Sequence, residues 1–226
     1  CRIGRDELAV VDPRLRVHLE DGRNQLLRTP EGTYDVIVSE PSNPWLTGVS
    51  NLFTIDYWKL AKSRLADDGV FCQWAQLYEL SQPNIKTLLR SFISVFPHTY
   101  VFAAEHLSSD VILVATRQPL PLDLYRLRRN FAVPGLRAEL HRAQIDSPEE
   151  ILADLLLTPD EIPAFTIGAV INTDDNARIE FAAPRDLLGY MRHESSVPRM
   201  YSNEWPYGRF ERYLTNYGLP FDRPPA

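Results

Sequence analysis

The sequence predicts an α/β fold with a doubly wound sheet and a C-terminal helical appendage. Up to residue 118, apolar strand patterns alternate with segments of helical periodicity, as in sheets that are wound by helices. From Pro119 onward, helix start signals replace most strand patterns. We therefore expect two units, residues 1–118 and residues 119–226. A chain of 226 residues with 44% hydrophobic residues is long enough for one core and a smaller lobe.

The strands of the first unit are predicted from short apolar segments. Residues 14–20 alternate apolar and polar side chains, whereas residues 34–40 have the near-continuous apolar centre of a strand covered on both faces. Residues 70–78 predict the next strand, and residues 99–105 and 110–116 predict a closing pair.

Three helices are expected between these strands. Residues 24–29 form a short helical stretch, and residues 52–69 show helical spacing with Gly69 as the stop. Ser81 is expected to cap a helix with one apolar face. That face comprises Ile85, Leu88, Leu89, Phe92, Val95 and Phe96.

The appendage contains two helix starts of the capping-box type, Ser147 to Glu150 and Thr158 to Glu161. A late strand is expected at residues 177–181. The five residues before it, 172–176, read as a polar turn; the alternative is a hard-cation site through Asp174 and Asp175.

Composition excludes several classes of protein. A net charge of −6 with dispersed basic residues argues against nucleic acid as the main partner and is compatible with cationic ligands. Cys1 and Cys72 give no disulfide framework, and the five histidines show no metal-ligand spacing, so no metal is expected. No apolar run approaches the ~20 residues of a membrane span, and no signal peptide is visible.

Polar residues cluster where predicted strands end. Glu40 and Asn43 each precede a proline in the stretch SEPSNPW, which stiffens a loop over the carboxyl edge of the sheet, where ligands bind in such folds. Asp21 ends the preceding strand, and Gln73 and Trp74 belong to the following one. The alternatives are a helix cap or solvated residue for Glu40 and a turn former for Asp21.

Four segments in order resemble one family. LRVHLEDGRNQLL, YDVIVSEPSNPW, NLFTIDYWKLAKSRLADDGVFCQW and INTDDNARIEF are similar to the spermidine synthase-like (polyamine aminopropyltransferase) family. The likeness is greatest to the bacterial subgroup fused to a membrane transporter-like region. It implies a partial Rossmann-like, methyltransferase-type sheet in which residues 1–118 are the C-terminal portion of the domain.

The resemblance also implies a reaction and a set of roles. The family transfers an aminopropyl group from decarboxylated S-adenosylmethionine, a co-substrate rather than a permanently bound cofactor, to a polyamine amine. By position, Glu40 matches the catalytic carboxylate, Asp21 and Gly22 match the adenine contacts, and Asn43 and Gln73 match the amine side. Trp45 and Trp74 are candidates for stacking on adenine or covering methylene groups, with core or lid packing as the alternative.

Several features depart from the family. Glu40 is one methylene longer than the family's aspartate, and Asn43 lacks the charge of the second one. No glycine-rich turn lies upstream of Asp12, so the first βαβ unit is expected to be missing from this chain. The family's tyrosine-bearing loop is not recognisable in residues 103–110.

Two other functions share these features. One is an S-adenosylmethionine-dependent methyltransferase, and the other is a non-catalytic polyamine-sensing domain of a transporter fusion, which Asn43 and the missing donor half favour. The expected partners are a polyamine or another cationic amine and a second copy of the chain. The expected location is the cytoplasm, or the cytoplasmic side of a membrane protein.

Overall fold

A computed structural model describes residues 13–44, 46, 48–76, 80–104 and 110–191. The predicted α/β architecture is confirmed: a five-stranded mixed sheet carries helices against it. The strands are β1 (Tyr34–Ser39), β2 (Leu65–Gln76), β3 (His98–Ala103), β4 (Asp110–Thr116) and β5 (Leu155–Leu157).

The helices occur between the strands and after them. Those of the first part are α1 (Gly22–Arg28), α2 (Ile55–Arg64) and α3 (Gln82–Val95). Those of the later part are α4 (Leu124–Phe131), α5 (Pro134–Arg142), α6 (Pro148–Ala153), α7 (Ile162–Phe165) and α8 (Arg178–Met191).

The sheet has the order β1-β2-β4-β3-β5. Among the residues that the structure describes, only β1 and β2 are parallel; the other neighbours are antiparallel, including β3 with the later strand β5. The division of the chain near residue 118 stays a prediction. Residues on both sides of it contribute to the same sheet and to one hydrophobic cluster, to which Leu157, Ile162, Ile179 and Ala183 belong.

The core lies between one face of the sheet and helices α2 and α3. Phe71 of β2 stacks on Phe96 with ring centroids 5.1 Å apart, and Trp58 meets Phe92 edge-on at 5.0 Å. The predicted apolar face of α3 is confirmed, since all six of its residues are buried. Helical periodicity therefore identified the main packing surface correctly.

The predicted strand at residues 14–20 is wrong for this structure. Its alternating apolar residues Leu15, Val17 and Leu19 are exposed, and the segment joins no strand within the described residues. β1 is the edge strand, and its Val36 and Val38 are also exposed, so the expectation of a strand covered on both faces is wrong as well. An alternating pattern becomes a strand only where a neighbour completes the backbone hydrogen bonds.

The helix expected over residues 52–69 is shorter. A 3₁₀ turn at Ser50–Leu52 precedes α2, which ends at Arg64, and Gly69 lies within β2 rather than at the helix stop. The residues before Val70 are accommodated by a shift of register between β1 and β2. A built side chain at Gly69 would lie 3.1 Å from the carbonyl oxygen of Tyr34, so this glycine permits close strand approach.

The expected strand at residues 177–181 is also wrong, because residues 178–181 form the first turn of α8. Asn176 accepts the backbone N–H of Arg178 at 3.2 Å, and Asn172 accepts that of Ile179 at 3.1 Å. Ile179 and Ala183 are fully buried while Phe181 is exposed, which is a helical rather than an alternating pattern.

Each capping box forms one of its two expected contacts. Ser147 accepts the N–H of Glu150 and caps α6, but the Glu150 carboxylate accepts the N–H of Asp146 rather than that of Ser147. Glu161 accepts the N–H of Thr158 at 3.0 Å, but Thr158 gives no side-chain cap, and α7 begins only at Ile162 with Glu161 at its N-cap position. Ser81 occupies the N-cap position of α3 without a side-chain cap; Asp186 of α8 instead accepts its N–H at 2.6 Å. Within the described residues, no helix combines the length and apolar character needed to span a membrane.

Candidate functional site at the carboxyl edge of the sheet

The carboxyl ends of β1 and β2 lie side by side. The parallel register pairs Val38 with Cys72 and Ser39 with Gln73, and Glu40 is the first loop residue after the last of these pairs. Side chains alternate between the two faces of a sheet. Ser39 and Gln73 face the helices, to which both are hydrogen-bonded, whereas Trp74 follows Gln73 on the opposite face.

Helix α2 fixes the two strand ends. The Tyr57 hydroxyl donates to Ser39 Oγ at 3.0 Å, and Trp58 Nε1 donates to Gln73 Oε1 at 3.2 Å. Burial raises the pKa of Tyr57, so its hydroxyl stays protonated and keeps donating. Thr54 caps this helix by accepting the N–H of Tyr57, which directs both aromatic residues at the sheet.

Gln73 therefore lies in the core. Its side chain is fully buried, and its amide nitrogen donates to the carbonyl oxygen of Trp74 at 3.2 Å. The amide is satisfied by protein groups at both ends. Its part in lining an amine site stays a prediction, and in this structure it positions the end of β2.

Glu40 and Asn43 occupy the loop that follows β1. Glu40 is exposed and Asn43 is half-buried, and the Asn43 carbonyl accepts the N–H of Leu46 at 3.0 Å. Pro44, which follows Asn43, is buried and anchors the loop. Trp45 and the segment 105–109 lie outside the described residues.

Asp21 and Gly22 open helix α1 at the same edge. Asp21 Oδ1 accepts the N–H of Asn24 at 2.8 Å, so this carboxylate is an exposed helix cap rather than the end of a strand. No atom lies within 4 Å of a side chain built at Gly22, and packing therefore does not require glycine there. The start of α1 is held near this edge by Arg23, which donates to the Asn51 carbonyl at 3.0 Å, just before α2. Asp21, two residues before Arg23, is held there with it.

The sequence did not predict the ion pair that stabilises the carboxyl edge of the sheet. Arg23 forms a bidentate ion pair with Asp174, which also accepts the Thr54 hydroxyl at 2.7 Å. The guanidinium lowers the pKa of Asp174 and is itself held at a raised pKa. The Asp174 N–H donates to Asp56 at 2.8 Å. The polar segment 172–176 is thus a turn that is hydrogen-bonded to both α1 and the start of α2. The described residues contain no group of three potential metal ligands.

The geometry defines a mixed α/β domain with an exposed carboxylate and a tryptophan at the carboxyl edge. The sequence profile of the family described as "Spermine/spermidine synthase domain" matches residues 3–117. The chain belongs to this family.

Characterised relatives match part of this region. "Spermidine synthase 2" of Hyoscyamus niger is 28% identical over 92 residues, which are 41% of this chain and 30% of that protein. "Polyamine aminopropyltransferase 2" of Streptomyces coelicolor is 36% identical over 64 residues, 28% of this chain and 12% of that protein. The matched region therefore spans less than a third of either relative.

The fold is similar to that of a solved structure. A probable spermidine synthase from Corynebacterium glutamicum superposes with a TM-score of 0.50 at 17% sequence identity. The alignment covers 72% of this chain and 55% of that one. The similarity supports the fold of this domain.

Proposed function

We propose that the protein is a polyamine aminopropyltransferase, which transfers an aminopropyl group from decarboxylated S-adenosylmethionine to an amine. The observation that carries the proposal is Glu40, a solvent-accessible carboxylate at the carboxyl end of β1 in a domain of the spermine/spermidine synthase family. Trp74, which follows Gln73 at the end of the neighbouring strand, would supply an apolar surface for the methylene groups of an amine. Net charge of −6 favours a cationic substrate.

The chemistry requires a base beside the acceptor. A primary amine with a pKa of about 10 is protonated at neutral pH and carries no free lone pair. Glu40 holds the ammonium group and accepts its proton. The nitrogen then attacks the propyl carbon next to the sulfonium; a C–N bond forms, the C–S bond breaks, and its electron pair returns to sulfur in methylthioadenosine.

The donor's adenine is assigned to the start of α1. Asp21 uses Oδ1 as a helix cap, and Oδ2 makes no hydrogen bond within the described residues, so it can accept from the exocyclic amino group of adenine. The remaining donor contacts are proposed to come from a preceding glycine-rich region, and the family subgroup suggests a membrane region before it. The intact mass of the native protein and its N-terminal sequence would show whether the glycine-rich region and the membrane region are present.

The test uses the native protein with decarboxylated S-adenosylmethionine and 1,4-diaminobutane. We expect Glu40→Gln to lower kcat by about 100-fold or more, the usual contribution of a positioned general base. Asp35→Asn changes an exposed carboxylate within β1; it is the matched control and should retain full activity. A Glu40→Gln protein with normal kcat would contradict the assignment.

The mass added to the acceptor separates the alternatives. Addition of an aminopropyl group supports the proposal, and addition of a methyl group from S-adenosylmethionine would identify a methyltransferase. Saturable diamine binding without transfer from either donor would favour the non-catalytic sensing domain, which the neutral Asn43 makes the second candidate.

A further inference from the structure

The proposed base Glu40 comes directly after a hydrogen-bonded pair in the core. Ser39, the last residue of β1, accepts the Tyr57 hydroxyl of α2 at 3.0 Å. Both side chains are buried, with 7% of Ser39 and 4% of Tyr57 exposed. Ser39 and Glu40 are joined by one peptide bond, which separates their Cα atoms by ~3.8 Å. A shift of Ser39 would therefore move the backbone of Glu40.

The end of β1 depends on this hydrogen bond because the strand lies at the edge of the sheet. Among the described residues, β1 pairs with β2 alone, and the last pair in the register is Ser39 with Gln73. Helix α2 supports the two strand ends from a second direction, since Tyr57 bonds Ser39 and Trp58 bonds Gln73. The helix thus holds a strand end that has a ladder on one side.

The Tyr57 hydroxyl is itself held in a fixed position. Thr54 caps α2 by accepting the N–H of Tyr57 at 3.3 Å, and the Asn172 carbonyl accepts the N–H of Ile55 at 3.0 Å. The ring of Tyr57 meets that of Phe71 edge-on, with centroids 6.3 Å apart. Burial raises the pKa of Tyr57, so its hydroxyl remains a donor at neutral pH. The backbone and the ring therefore both fix the direction in which this hydroxyl donates.

The loop after Ser39 is stiff enough to transmit this position to the base. Pro41 follows Glu40 and biases its backbone towards extended conformations. Pro44 is buried and anchors the loop, while Glu40 is exposed. A general base must lie within ~2.6–3.2 Å of the atom from which it takes the proton, so small errors in its position slow the reaction.

From these contacts, and resting on the proposed function, we infer that Tyr57 is a positioning residue for Glu40 and acts through Ser39. A buried hydrogen bond between two neutral hydroxyl groups contributes little net stability, and a pair of apolar side chains of the same shape can serve a core about as well. The hydroxyl pair instead fixes the end of β1, and with it the geometry of proton transfer.

Kinetics on the native protein test this role, with decarboxylated S-adenosylmethionine and 1,4-diaminobutane as substrates. Tyr57→Phe removes only the hydroxyl; we expect kcat to fall by about tenfold with the KM of the donor unchanged, because a misplaced base slows the transfer step. Tyr34→Phe is the matched control and should keep kcat, since the Tyr34 and Thr29 hydroxyls are hydrogen-bonded at 3.2 Å at the opposite end of β1. An equal loss of kcat in both variants would overturn the inference.

A double-variant cycle separates positioning from a general structural effect. In the Glu40→Gln background, Tyr57→Phe should lower kcat no further, because the group that it positions is already gone. A further loss of about tenfold, as expected for independent sites, would overturn the inference. Ser39→Ala should reproduce the effect of Tyr57→Phe and takes its place if that variant does not fold. Thermal unfolding confirms that each variant is folded at the assay temperature.

Glu40→Gln by itself keeps the two proposals distinguishable. If Glu40→Gln lowers kcat and Tyr57→Phe leaves it unchanged, the transferase stands and the positioning role is overturned. If Glu40→Gln has normal kcat, Glu40 is not the base, and the assignment and the positioning role are both overturned. Losses in both single variants that do not add in the double variant support both proposals.

Discussion

Arg23 and Asp174 are 151 residues apart in the chain, yet they form a bidentate ion pair that joins α1 to the turn before α8. Asp174 also accepts the Thr54 hydroxyl, so the pair holds the start of α2 as well. The later part of the chain thereby fixes the edge of the sheet at which Asp21 and Glu40 lie.

Asp174→Asn should lower the free energy of unfolding by about 1 kcal/mol, the upper range for ion pairs that solvent partly screens. The side chain of Asp174 is 39% exposed, which limits the effect. Urea unfolding measures it. Asp175→Asn, the exposed neighbouring carboxylate, is the control and should change the free energy little; equal losses in both variants would contradict the role of the pair.

The same ion pair should make stability depend on acidic pH. Because Arg23 lowers the pKa of Asp174 in the folded protein, the unfolded chain binds the proton more readily. The stabilisation is complete above the unfolded pKa of about 3.9 and is lost as pH falls through the folded pKa. Urea unfolding at pH 6 and pH 3 should show a difference between wild type and Asp174→Asn that shrinks at pH 3. A constant difference would disprove the linkage.

Trp58 and Gln73 should be energetically coupled. Trp58→Phe leaves a buried amide oxygen unpaired, and Gln73→Leu leaves a buried indole N–H unpaired, at about 1–3 kcal/mol each before packing effects. The double variant removes both groups, so its loss should be smaller than the sum by about 1 kcal/mol. A double-mutant cycle by chemical unfolding gives this value, and strict additivity would argue against the hydrogen bond.

Gly69→Ala should destabilise the protein by about 1–3 kcal/mol, because the added methyl group meets backbone atoms. It would lie 3.0 Å from the Ala66 carbonyl oxygen and 3.1 Å from that of Tyr34. Gly135→Ala in α5 is the control, since no atom lies within 4 Å of its added methyl group. That change should be neutral or stabilise by about 0.4–1 kcal/mol. Thermal unfolding of the two variants compares them, and equal midpoints would refute the crowding at Gly69.

Local sequence patterns correctly predicted the helices and strands in which the apolar residues, spaced with the period of the element, are the buried ones. Helix α3 was found because Ile85, Leu88 and Phe92 recur at helical spacing and are buried together. Residues 14–20 and 177–181 were mistaken for strands because alternation alone does not show whether a partner strand exists. In the second case Asn172 and Asn176 cap the helix through contacts that the pattern does not contain.

The candidate site was predicted in part. Glu40 and Trp74 follow from the strand ends, since the structure pairs Ser39 with Gln73, the residues just before them; their role in one site stays a prediction. Gln73 and Trp74 are both candidates at the end of β2, although neighbours along a strand face opposite sides of the sheet. The ion pair between Arg23 and Asp174 depends on tertiary packing, so the sequence around Arg23 does not predict it.

The antiparallel pairing of β5 with β3 has a consequence for truncated chains. The buried leucines 155–157 cover what would otherwise be the open edge of β3. A fragment that stops at residue 118 would leave the hydrogen-bonding groups of Val101 to Ala103 unpaired at this edge, and unprotected edges of this kind promote intermolecular strand pairing. We therefore expect residues 155–157 to limit aggregation as well as to complete the sheet.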